Sequence, residues 1–442
     1  MDPESQISNF LRNGAARLED CIDRNSFSCV RSKLKHFLES KRIEDIISVN
    51  RKGEPFYSSI DIRDSGFKLA PVDANLFPAG FNNVCDDDIE NSKTLVKETL
   101  TAHLGFLPKK IAILPEAHTK NRFYADNLLN LKQVFEQVGI QVEIGWWINP
   151  DVQLPQSIDT PIELETTAGE KILAWPFHVE NNKLIFKPFE PEFVLLNNDF
   201  SSGYPAILDK ITQPIEPSFR LGWHRRKKSD FFRIYNQMVA DLAIASDIDP
   251  WRLQVSTRLV SGINFDEAIG MEKIATSVDE LIEEMKIAYA SRNIDQKPFV
   301  FVKSNAGTYG MNILRVESGN ELLELNRREK NKMAVGKNKL QTNEVIVQEG
   351  IPTRIMEEGV FGEPVIYMIG SQVLGGFLRT NPLRGKIDNL NSKGMVFRKL
   401  CISDLRRDTD RDIELELVYG VIAHLAVAAM SSETVDVMSS FQ

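Results

Sequence analysis

The chain has 442 residues and a mass of 50.1 kDa, enough for about three domains of ordinary size. Hydrophobic residues make up 42% and charged residues 26%, which excludes a disordered chain, a collagen-like fibre and a coiled-coil rod. With 53 basic and 62 acidic side chains the formal net charge is −9, which argues against non-specific nucleic-acid binding as the main activity. A net-acidic chain can still bind an anionic substrate in one locally positive cleft.

Cysteine usage and hydropathy predict a cytoplasmic protein. Cys21, Cys29, Cys85 and Cys401 are scattered and form no CxxC pair, so we expect neither a disulfide framework nor a Cys-rich zinc site. The polar N-terminus leads into no apolar segment of a secretory signal. The longest apolar stretch, Val418 to Met430, is too short to span a bilayer and predicts a buried core helix. We expect small-molecule substrates, with no nucleic-acid or membrane partner, and the oligomeric state stays open.

The first half of the chain has the pattern of an α/β domain. Helical periodicity is predicted near Gln6–Leu18 and Val30–Leu38. Lys109–Pro115 predicts a buried strand, Tyr124–Val138 a helix and Gln141–Trp147 a second strand. This order of elements is typical of a parallel sheet covered by helices.

Later segments add elements and a boundary. Glu192–Asn197 and Ile207–Leu208 predict further strand material. The Pro-rich stretch Gln213–Pro217 predicts a domain boundary. Helices are predicted at Phe231–Ala245 and Val278–Ala290, and beyond them short apolar strands predominate.

The sharpest chemical pattern is the segment from Phe299 to Val316. An apolar strand ends in Lys303, and a loop that contains Gly307 and Gly310 leads into a second strand. The order differs from a Walker A motif, where the lysine follows the glycines and a helix begins. Such a loop can fold over phosphates while Lys303 supplies a point charge. The same pattern also fits an ordinary hairpin with a glycine-containing turn.

Three segments that follow could bind a nucleotide or an anion. The strand Glu344–Glu349 could bind adenine through its backbone, with Glu349 near N6 or a ribose hydroxyl, or it could be a plain edge strand. Arg379 could clamp a carboxylate or phosphate, or be a solvated surface arginine. The polar loop Arg384–Gly394 could present oxygens to a phosphate or to Mg²⁺, although a surface loop fits equally well.

In this order the four segments resemble the ATP-grasp ligases. Within that superfamily, eight blocks resemble the single-chain proteobacterial glutamate–cysteine ligase family: VDANLFPAGFNNVC (72–85), PEAHTKNRFY (115–124), LLNNDFSSGYPAIL (195–208), GWHRRKKSDFF (222–232), VKSNAGTYGM (302–311), VIVQEGI (345–351), EPVIYMI (363–369) and DNLNSKGM (388–395). The resemblance covers nearly the whole chain. It implies ATP-dependent joining of the glutamate γ-carboxylate to the cysteine amine, the first step of glutathione synthesis.

The resemblance also implies ATP and Mg²⁺ as cofactors and gives roles to single residues. Those implied to bind ATP are Lys227 or Lys228, Lys303, Gly307, Thr308, Gly310, Gln348, Glu349, Ile351 and Asn389. Those implied to act on the transferring phosphate are Lys303, Arg379 and Asn391. Most ATP-grasp enzymes supply Mg²⁺ ligands from a Glu-x-Asn triplet near the C-terminus. None follows Asn391, so Glu363 and Asn391 are the metal candidates by default.

The amino-acid site is predicted from polar residues that follow strand segments in the first half, where α/β proteins bind ligands. The candidates are Asp73, Asn75, Asn82, Asn83, Arg122, Asn197, Asn198 and Asp199. Each of them alone is also a typical turn-capping residue. The basic cluster Trp223–Lys228 raises nucleic-acid binding as a rival function, which the net-acidic composition disfavours.

We therefore predict an α/β protein with an N-terminal parallel-sheet, pre-ATP-grasp-like domain over residues 1–215 and an ATP-grasp module over residues 216–442. Within the module, the predicted lid subdomain covers about 225–350 and the C-terminal subdomain about 351–442. The alternatives are another ATP-grasp carboxylate–amine ligase, such as a glutathione synthetase-like enzyme, and a non-catalytic nucleotide-binding module. The missing Glu-x-Asn triplet favours the second alternative. Lys303, the glycine loop that contains Gly307 and Gly310 (the lid) and the strand Glu344–Glu349 (the adenine hinge) disfavour it.

Overall fold

Three β-sheets and the helices packed on them form the mixed α/β fold of the part of the chain that the computed structural model describes. That part comprises residues 30–31, 33–34, 53–116, 120–146, 160–265, 267–307, 313–326, 343–401 and 415–439. The strands are β1 Tyr57–Asp64, β2 Leu69–Asn75, β3 Lys110–Pro115, β4 Gln141–Trp146, β5 Ile162–Glu165, β6 Lys171–Glu180, β7 Lys183–Phe186, β8 Phe193–Asn197, β9 Ile215–Glu216, β10 Thr257–Ser261, β11 Val300–Ser304, β12 Leu314–Val316, β13 Glu344–Glu349, β14 Met356–Glu357, β15 Val360–Ile369, β16 Gln372–Thr380 and β17 Val396–Leu400.

The α-helices of the same residues are α1 Asp86–Asn91, α2 Lys93–Leu104, α3 Arg122–Glu136, α4 Lys228–Ser246, α5 Ala268–Ala290, α6 Gly319–Leu323 and α7 Leu415–Ser439. These bounds confirm the helices predicted in the segments that became α3, α4, α5 and α7. The predicted helix Gln6–Leu18 lies outside the described residues. Of Val30–Leu38, residues 30, 31, 33 and 34 are described, and they are helical.

The central sheet joins the two ends of the chain. Its strand order is β17-β16-β15-β1-β2, all neighbours are antiparallel, and β14 pairs with β15. The sheet therefore draws strands from both sides of the boundary predicted near residue 215. Helix α7 covers one face of it.

The two faces of the central sheet differ because side chains alternate along each strand. On one face Ile60, Ala74 and Ile366 share a hydrophobic core with Val421 and Leu425 of α7. The opposite face of the same strands carries polar and charged side chains, namely Ser59, Asp61, Asp73, Asn75, Glu363 and Arg379. The first face packs in that core, whereas the second carries these polar groups next to Val365, Tyr367 and Phe377, which are buried in another core.

The parallel sheet predicted in the first half is present. Its order is β5-β6-β4-β3-β8-β9, and β7 also pairs with β6. Both β5 and β7 run antiparallel to β6, and the other pairs are parallel. Helix α3 begins after Asn121, whose side chain accepts a hydrogen bond from the Tyr124 amide. Leu128 and Leu131 of that helix are buried in the core beside β3 and β4. The carboxyl ends of β3 and β8 lie side by side, at Pro115 and Asn197.

The third sheet, of order β10-β13-β11-β12, is antiparallel and is covered by α5. It contains the predicted strand that ends near Lys303 and, paired with it, the predicted strand that ends at Glu349. We call it the four-stranded sheet. Lys303 lies opposite Ile346 in this pairing, so the end of β11 and the hinge strand are neighbours.

Two predictions of local structure are wrong. Residues Ile207–Leu208 belong to a 3₁₀ helix, Ala206–Lys210, because the Leu208 amide closes a turn on the Pro205 carbonyl and no partner strand pairs with them. Cys85 and Cys401, 316 residues apart, form a disulfide, which scattered spacing did not suggest. Cys21 and Cys29 lie outside the described residues.

The apolar C-terminal helix is a core helix, as predicted. Among the described residues, Val418–Ser439 is the one helix long and apolar enough to cross a membrane by length and composition. Of its most apolar window, 72% is buried inside the protein. Its apolar surface is therefore used in packing against the central sheet and α4.

Candidate active site

A cavity of about 240 Å³ lies between the polar face of the central sheet and the carboxyl edge of the parallel sheet. Glu116 and Asp199, which follow β3 and β8, form the wall on the side of the parallel sheet. Asp61 on β1 forms part of the opposite wall. Seven residues predicted to bind substrate or to act in catalysis line this cavity: Asp73, Asn75, Asn82, Asn83, Asp199, Arg379 and Asn391.

A second, more open cleft of about 790 Å³ adjoins the cavity, and Asn391 and Met395 line both. One side of the cleft is formed by residues 313–315 of the four-stranded sheet, and the other by residues 384–395. Asn389 lies here, and three cationic side chains face the cleft: Arg315, Arg384 and Lys393. The cleft is therefore the more positive of the two and the better suited to an anionic group.

Two arginines hold the carboxylates of the central sheet. Arg379 donates to Asp61 Oδ2 at 2.6 Å and to Glu363 Oε1 at 2.8 Å, and Arg63 donates to the second oxygen of Glu363. Burial raises the pKa of Asp61 above its usual range, against the opposing charge of Arg379. Burial would also raise the pKa of Glu363, but Arg63 and Arg379 outweigh it and hold that pKa below its usual range. Both Glu363 oxygens are thus bound by guanidinium groups.

An acid-x-Asn triplet, Asp73-Ala74-Asn75, lies on β2 beside Asp61. Asp61 is directly opposite Asp73 across the strand pair, and Asn75 is opposite Ser59, so Asp61, Asp73 and Asn75 share one face. All three line the cavity. An Asp-x-Asn triplet thus lies near the N-terminus, and strand pairing places it in the sheet whose other strands hold Glu363 and Arg379.

Lys303 and Lys228 surround the Asp73 carboxylate. Lys228 forms an ion pair with Asp73, and although burial would raise the pKa of Asp73, the charges of Lys228 and Lys303 lower it. Lys227, in contrast, pairs with Glu344 at 2.8 Å. Of the two lysines proposed for ATP, Lys228 is the one that faces the carboxylates.

A β-bulge explains how Lys303 is held. Between β1 and β2 the register shifts after Asp61, which leaves Val72 without a direct partner. The Val72 carbonyl accepts from Lys303 Nζ at 2.8 Å and from Gln348 Nε2 at 3.4 Å. Lys303 is only 7% exposed, and burial lowers its pKa to about 7, although Asp73 acts in the opposite direction. Lys303 is therefore a buried amine that lies close to the Asp73 carboxylate.

The predicted adenine hinge is buried at the junction of the sheets. Glu349 is 1% exposed, and its carboxylate pairs with Lys68 and accepts from the Ser256 amide at 2.9 Å. Burial lowers the pKa of Lys68, against the opposing effect of Glu349. Ile351 is buried in the core of the central sheet and α7. The Glu349 side chain thus links the four-stranded sheet to the β1–β2 turn.

Comparison with known proteins identifies the family. A family model described as GshA, glutamate-cysteine ligase, matches residues 38–434. The chain belongs to the glutamate–cysteine ligase family. It is accordingly an ATP-using ligase that joins glutamate and cysteine.

A solved structure agrees with this assignment. It is a candidate γ-glutamylcysteine synthetase from Methylobacillus flagellatus KT, with 34% identity to this ligase and a TM-score of 0.82. The likeness covers 96% of this chain and 99% of that one. No match was found among curated protein sequences.

Two more distant structures are also similar in part. The D-cycloserine synthetase DcsG has 12% identity and a TM-score of 0.33, over 72% of this chain and 82% of that one. The D-alanyl-alanine synthetase A from Vibrio cholerae O1 biovar eltor str. N16961 has 10% identity and the same TM-score, over 72% and 81%. Scores at this level carry no argument about the ligase.

Some predicted site residues of the ligase lie away from the cavity lining. Arg122, at the start of α3, is exposed and pairs with Glu165 at 2.8 Å. Asn198 accepts from the Phe200 amide at 3.0 Å, as a turn residue does. Gly307 has a φ of +105°, as expected for a glycine loop, and Thr308 and Gly310 lie outside the described residues.

Sequence reasoning missed two acidic side chains of the ligase cavity. Asp61 alternates with Ser59 and Arg63 along β1, a polar face that the pattern YSSIDIRD does show. Glu116 directly follows β3, and that position alone could have marked it. Neither residue was singled out, because a lone acid in a strand or after one is common.

Proposed function

We propose that the chain makes γ-glutamylcysteine through a γ-glutamyl phosphate, with ATP and Mg²⁺. The observation that carries this proposal is the meeting of Asp61, Asp73 and Asn75 with Lys228 and Lys303 at the inner wall of the cavity. Carboxylate and amide oxygens bind Mg²⁺, and ammonium groups bind phosphates. The small cavity can hold an amino acid and the adjoining positive cleft an anionic group, so an amino acid and ATP could react where the cavity and the cleft meet.

The residues present fit a magnesium ion. Asp61, Asp73 and Asn75 offer oxygen donors from adjacent strands, on one face, at the cavity wall. One oxygen of Asp61 is bound by Arg379 and one of Asp73 by Lys228. Mg²⁺ at this position would neutralise charge on the β- and γ-phosphates. We favour these residues over Glu363, because both oxygens of that side chain are bound by arginines.

For ATP, we propose binding between the four-stranded sheet and the central sheet, in an ATP-grasp arrangement. Lys303 and Lys228 would contact the phosphates, and the end of β13 near Gln348 would contact adenine. Asn389, Asn391 and the glycine loop at Gly307 would cover the phosphates from the side of the open cleft. Closure of that side would keep water from the acyl phosphate.

We assign the smaller cavity to the amino acids. Its volume of about 240 Å³ lies below the roughly 300–1,000 Å³ typical of sites for drug-sized ligands, so it suits an amino acid better than a nucleotide. Its walls carry the amides of Asn82 and Asn83 and the carboxylates of Glu116 and Asp199. An α-carboxylate can accept from the amides, and an α-ammonium can donate to the carboxylates.

The chemical sequence follows from these positions. A γ-carboxylate oxygen of glutamate attacks the γ-phosphorus of ATP, and ADP leaves. The cysteine amine then attacks the acyl carbon and loses a proton, and inorganic phosphate leaves with the original carboxylate oxygen. Lys303 and Lys228 stabilise the charge of the transferring phosphoryl group by their fixed positions.

Oxygen labelling tests this sequence. Glutamate labelled with ¹⁸O in the γ-carboxylate should give inorganic phosphate with one ¹⁸O atom for each peptide bond formed. Unlabelled glutamate in ¹⁸O-water should give unlabelled phosphate, which controls for hydrolysis. Label found in AMP, or in neither nucleotide nor phosphate, would exclude the acyl phosphate.

A further inference from the structure

The loop from Phe77 to Asn83 is held by side chains from three separate elements. It forms one wall of the small cavity and carries Asn82 and Asn83. The Pro78 carbonyl accepts from Asn197 Nδ2 at 2.7 Å, and the Ala79 carbonyl accepts from the Tyr367 hydroxyl. The amides of the next two residues, Gly80 and Phe81, both donate to Asn127 Oδ1, at 2.7 Å and 3.0 Å. Four successive backbone groups are thus bound by side chains of β8, β15 and α3.

Asn127 is built into this arrangement on both sides of its amide. While Oδ1 accepts from the loop, Nδ2 donates to Asn197 Oδ1 at 3.1 Å. Asn127 is 1% exposed, and both polar atoms of its amide are bound within the protein although the residue forms part of the cavity wall. This arrangement differs from that of a substrate-binding amide, which would keep a donor or acceptor for the ligand.

Asn197 connects the loop to both sheets. Its Oδ1 also accepts from the Tyr124 hydroxyl at 2.9 Å, and its Nδ2 also donates to the Tyr57 hydroxyl at 3.0 Å. The same Tyr124 hydroxyl accepts from the Glu116 amide at 2.9 Å. The network therefore fixes the loop and the Glu116 backbone, which both line the cavity, relative to each other.

We propose that Asn127 is a positioning residue for amino-acid binding. By binding the amides of Gly80 and Phe81, it sets where Asn82 and Asn83 stand in the cavity, without contact to substrate. Gly80 has a φ of +101°, and a Cβ there would lie 2.9 Å from the Tyr367 hydroxyl oxygen, so the loop has one close-fitting path past β15. This inference rests on the proposed use of the small cavity for amino acids.

The test compares Asn127→Leu with Asn127→Asp and with a matched control. Leucine has a similar size and binds neither amide, whereas aspartate keeps an acceptor for both but loses the donor to Asn197 Oδ1. Asn236 on α4 is the matched control residue. Its side chain accepts from the Val255 amide at 2.9 Å and donates to the Val255 carbonyl at 2.7 Å, and it does not line the small cavity. Asn236→Leu therefore removes a similar pair of side-chain hydrogen bonds outside the small cavity.

Three readouts are measured for each variant: amide hydrogen exchange at Gly80 and Phe81, KM for each substrate, and Tm. For Asn127→Leu we expect about tenfold faster exchange at both amides and about tenfold higher KM for glutamate or cysteine, as expected for loss of a buried hydrogen-bond pair. KM for ATP should stay within about twofold of the wild type, a change too small to count as a lost contact. Asn127→Asp should restore part of the exchange protection and of the amino-acid KM, because it keeps the acceptor for both amides but not the donor to Asn197. Asn236→Leu should lower Tm without either effect.

Two results would overturn the inference. One is unchanged exchange at Gly80 and Phe81 in Asn127→Leu. The other is an equal rise of all KM values in Asn127→Leu and Asn236→Leu, which would mean a general loss of stability. A wild-type protein without ligase activity would refute the proposed function instead, and the exchange experiment would still decide whether Asn127 holds the loop.

Discussion

Lys303 combines burial with a position beside a carboxylate, and this makes it the most informative single residue. Its ammonium is bound by a carbonyl that a bulge sets free, next to Asp73 and Lys228. Replacement by methionine keeps the packing of the side chain and removes the charge-assisted contact to phosphate.

We expect Lys303→Met to weaken ATP binding by about ten- to a hundredfold, which corresponds to about 1.5–3 kcal/mol. ATP should then raise Tm less than it does in the wild type. The control is Lys227→Met, since Lys227 pairs with Glu344 instead. Equal effects of the two substitutions, measured by calorimetric titration of ATP, would remove Lys303 from the nucleotide site.

Asp73 and Glu363 give a second contrast between residues. Asp73→Asn should raise the Mg²⁺ concentration for half-maximal rate by about tenfold or more, because it removes a charged ligand. Glu363→Gln should lower the rate mainly through Arg379 and leave that concentration closer to the wild-type value. If Glu363→Gln shifts the magnesium dependence and Asp73→Asn does not, the default candidate from the sequence is the correct one.

Among the elements, helix α7 should make the free energy of unfolding depend on pH. His424 is buried in this helix, and burial lowers its pKa to about 4, although a hydrogen bond to the Ser371 backbone acts in the opposite direction. Between pH 6.5 and pH 4 the unfolded state binds more protons at this group than the folded state does. The free energy of unfolding therefore falls as pH falls through that window.

His424→Leu should remove this contribution, which is at most about 3 kcal/mol at pH 4. Urea unfolding of both proteins at several pH values would measure it. As pH falls from 6.5 to 4, the free energy of unfolding of the variant should rise relative to that of the wild type. Parallel pH curves would show that His424 is not the group responsible.

The elements also show what a sequence can and cannot predict. Hydrophobic spacing predicted β3, α3, β4, β11 and β13, because each has a strong local period. It could not predict that β1 pairs with β15, a contact between residues some 300 positions apart that no local pattern records. The place of the acid-x-Asn triplet in the sheet that holds Glu363 and Arg379 depends on this pairing, so local pattern alone offered Glu363 and Asn391, and the identity of the metal ligands stays a prediction.

For single site residues the same difference applies. The positions of Arg379 and Asn391 at the cavity could be predicted from the segments they belong to, whereas their roles and that of Lys303 stay predictions. Asp61 and Asn127 could not be predicted, since their roles come only from neighbours that the fold brings together.

At the scale of the whole molecule, the disulfide joins two walls of the small cavity. Cys85 follows the loop that carries Asn82 and Asn83, and Cys401 follows β17, whose Phe397 lines the cavity. A crosslink over so long a separation restricts the unfolded chain strongly.

We expect reduction of this bond to lower the free energy of unfolding by about 2–4 kcal/mol. Cys401→Ser should have the same effect and should not respond to reductant. The measurement is urea unfolding of the wild-type protein and of Cys401→Ser, each with and without dithiothreitol. A wild-type protein whose unfolding ignores the reductant would show that the bond contributes nothing to stability, or that it does not form.

The proposed ligase binds glutamate, cysteine and ATP together and joins the two amino acids in one reaction. The most direct measurement is ADP release with ATP and Mg²⁺ across a panel of amino acids and their pairs. We expect slow release at most with glutamate alone, a strong increase when cysteine is added, and a γ-linked dipeptide as the product. Rapid release with γ-glutamylcysteine and glycine, together with none from glutamate and cysteine, would contradict it.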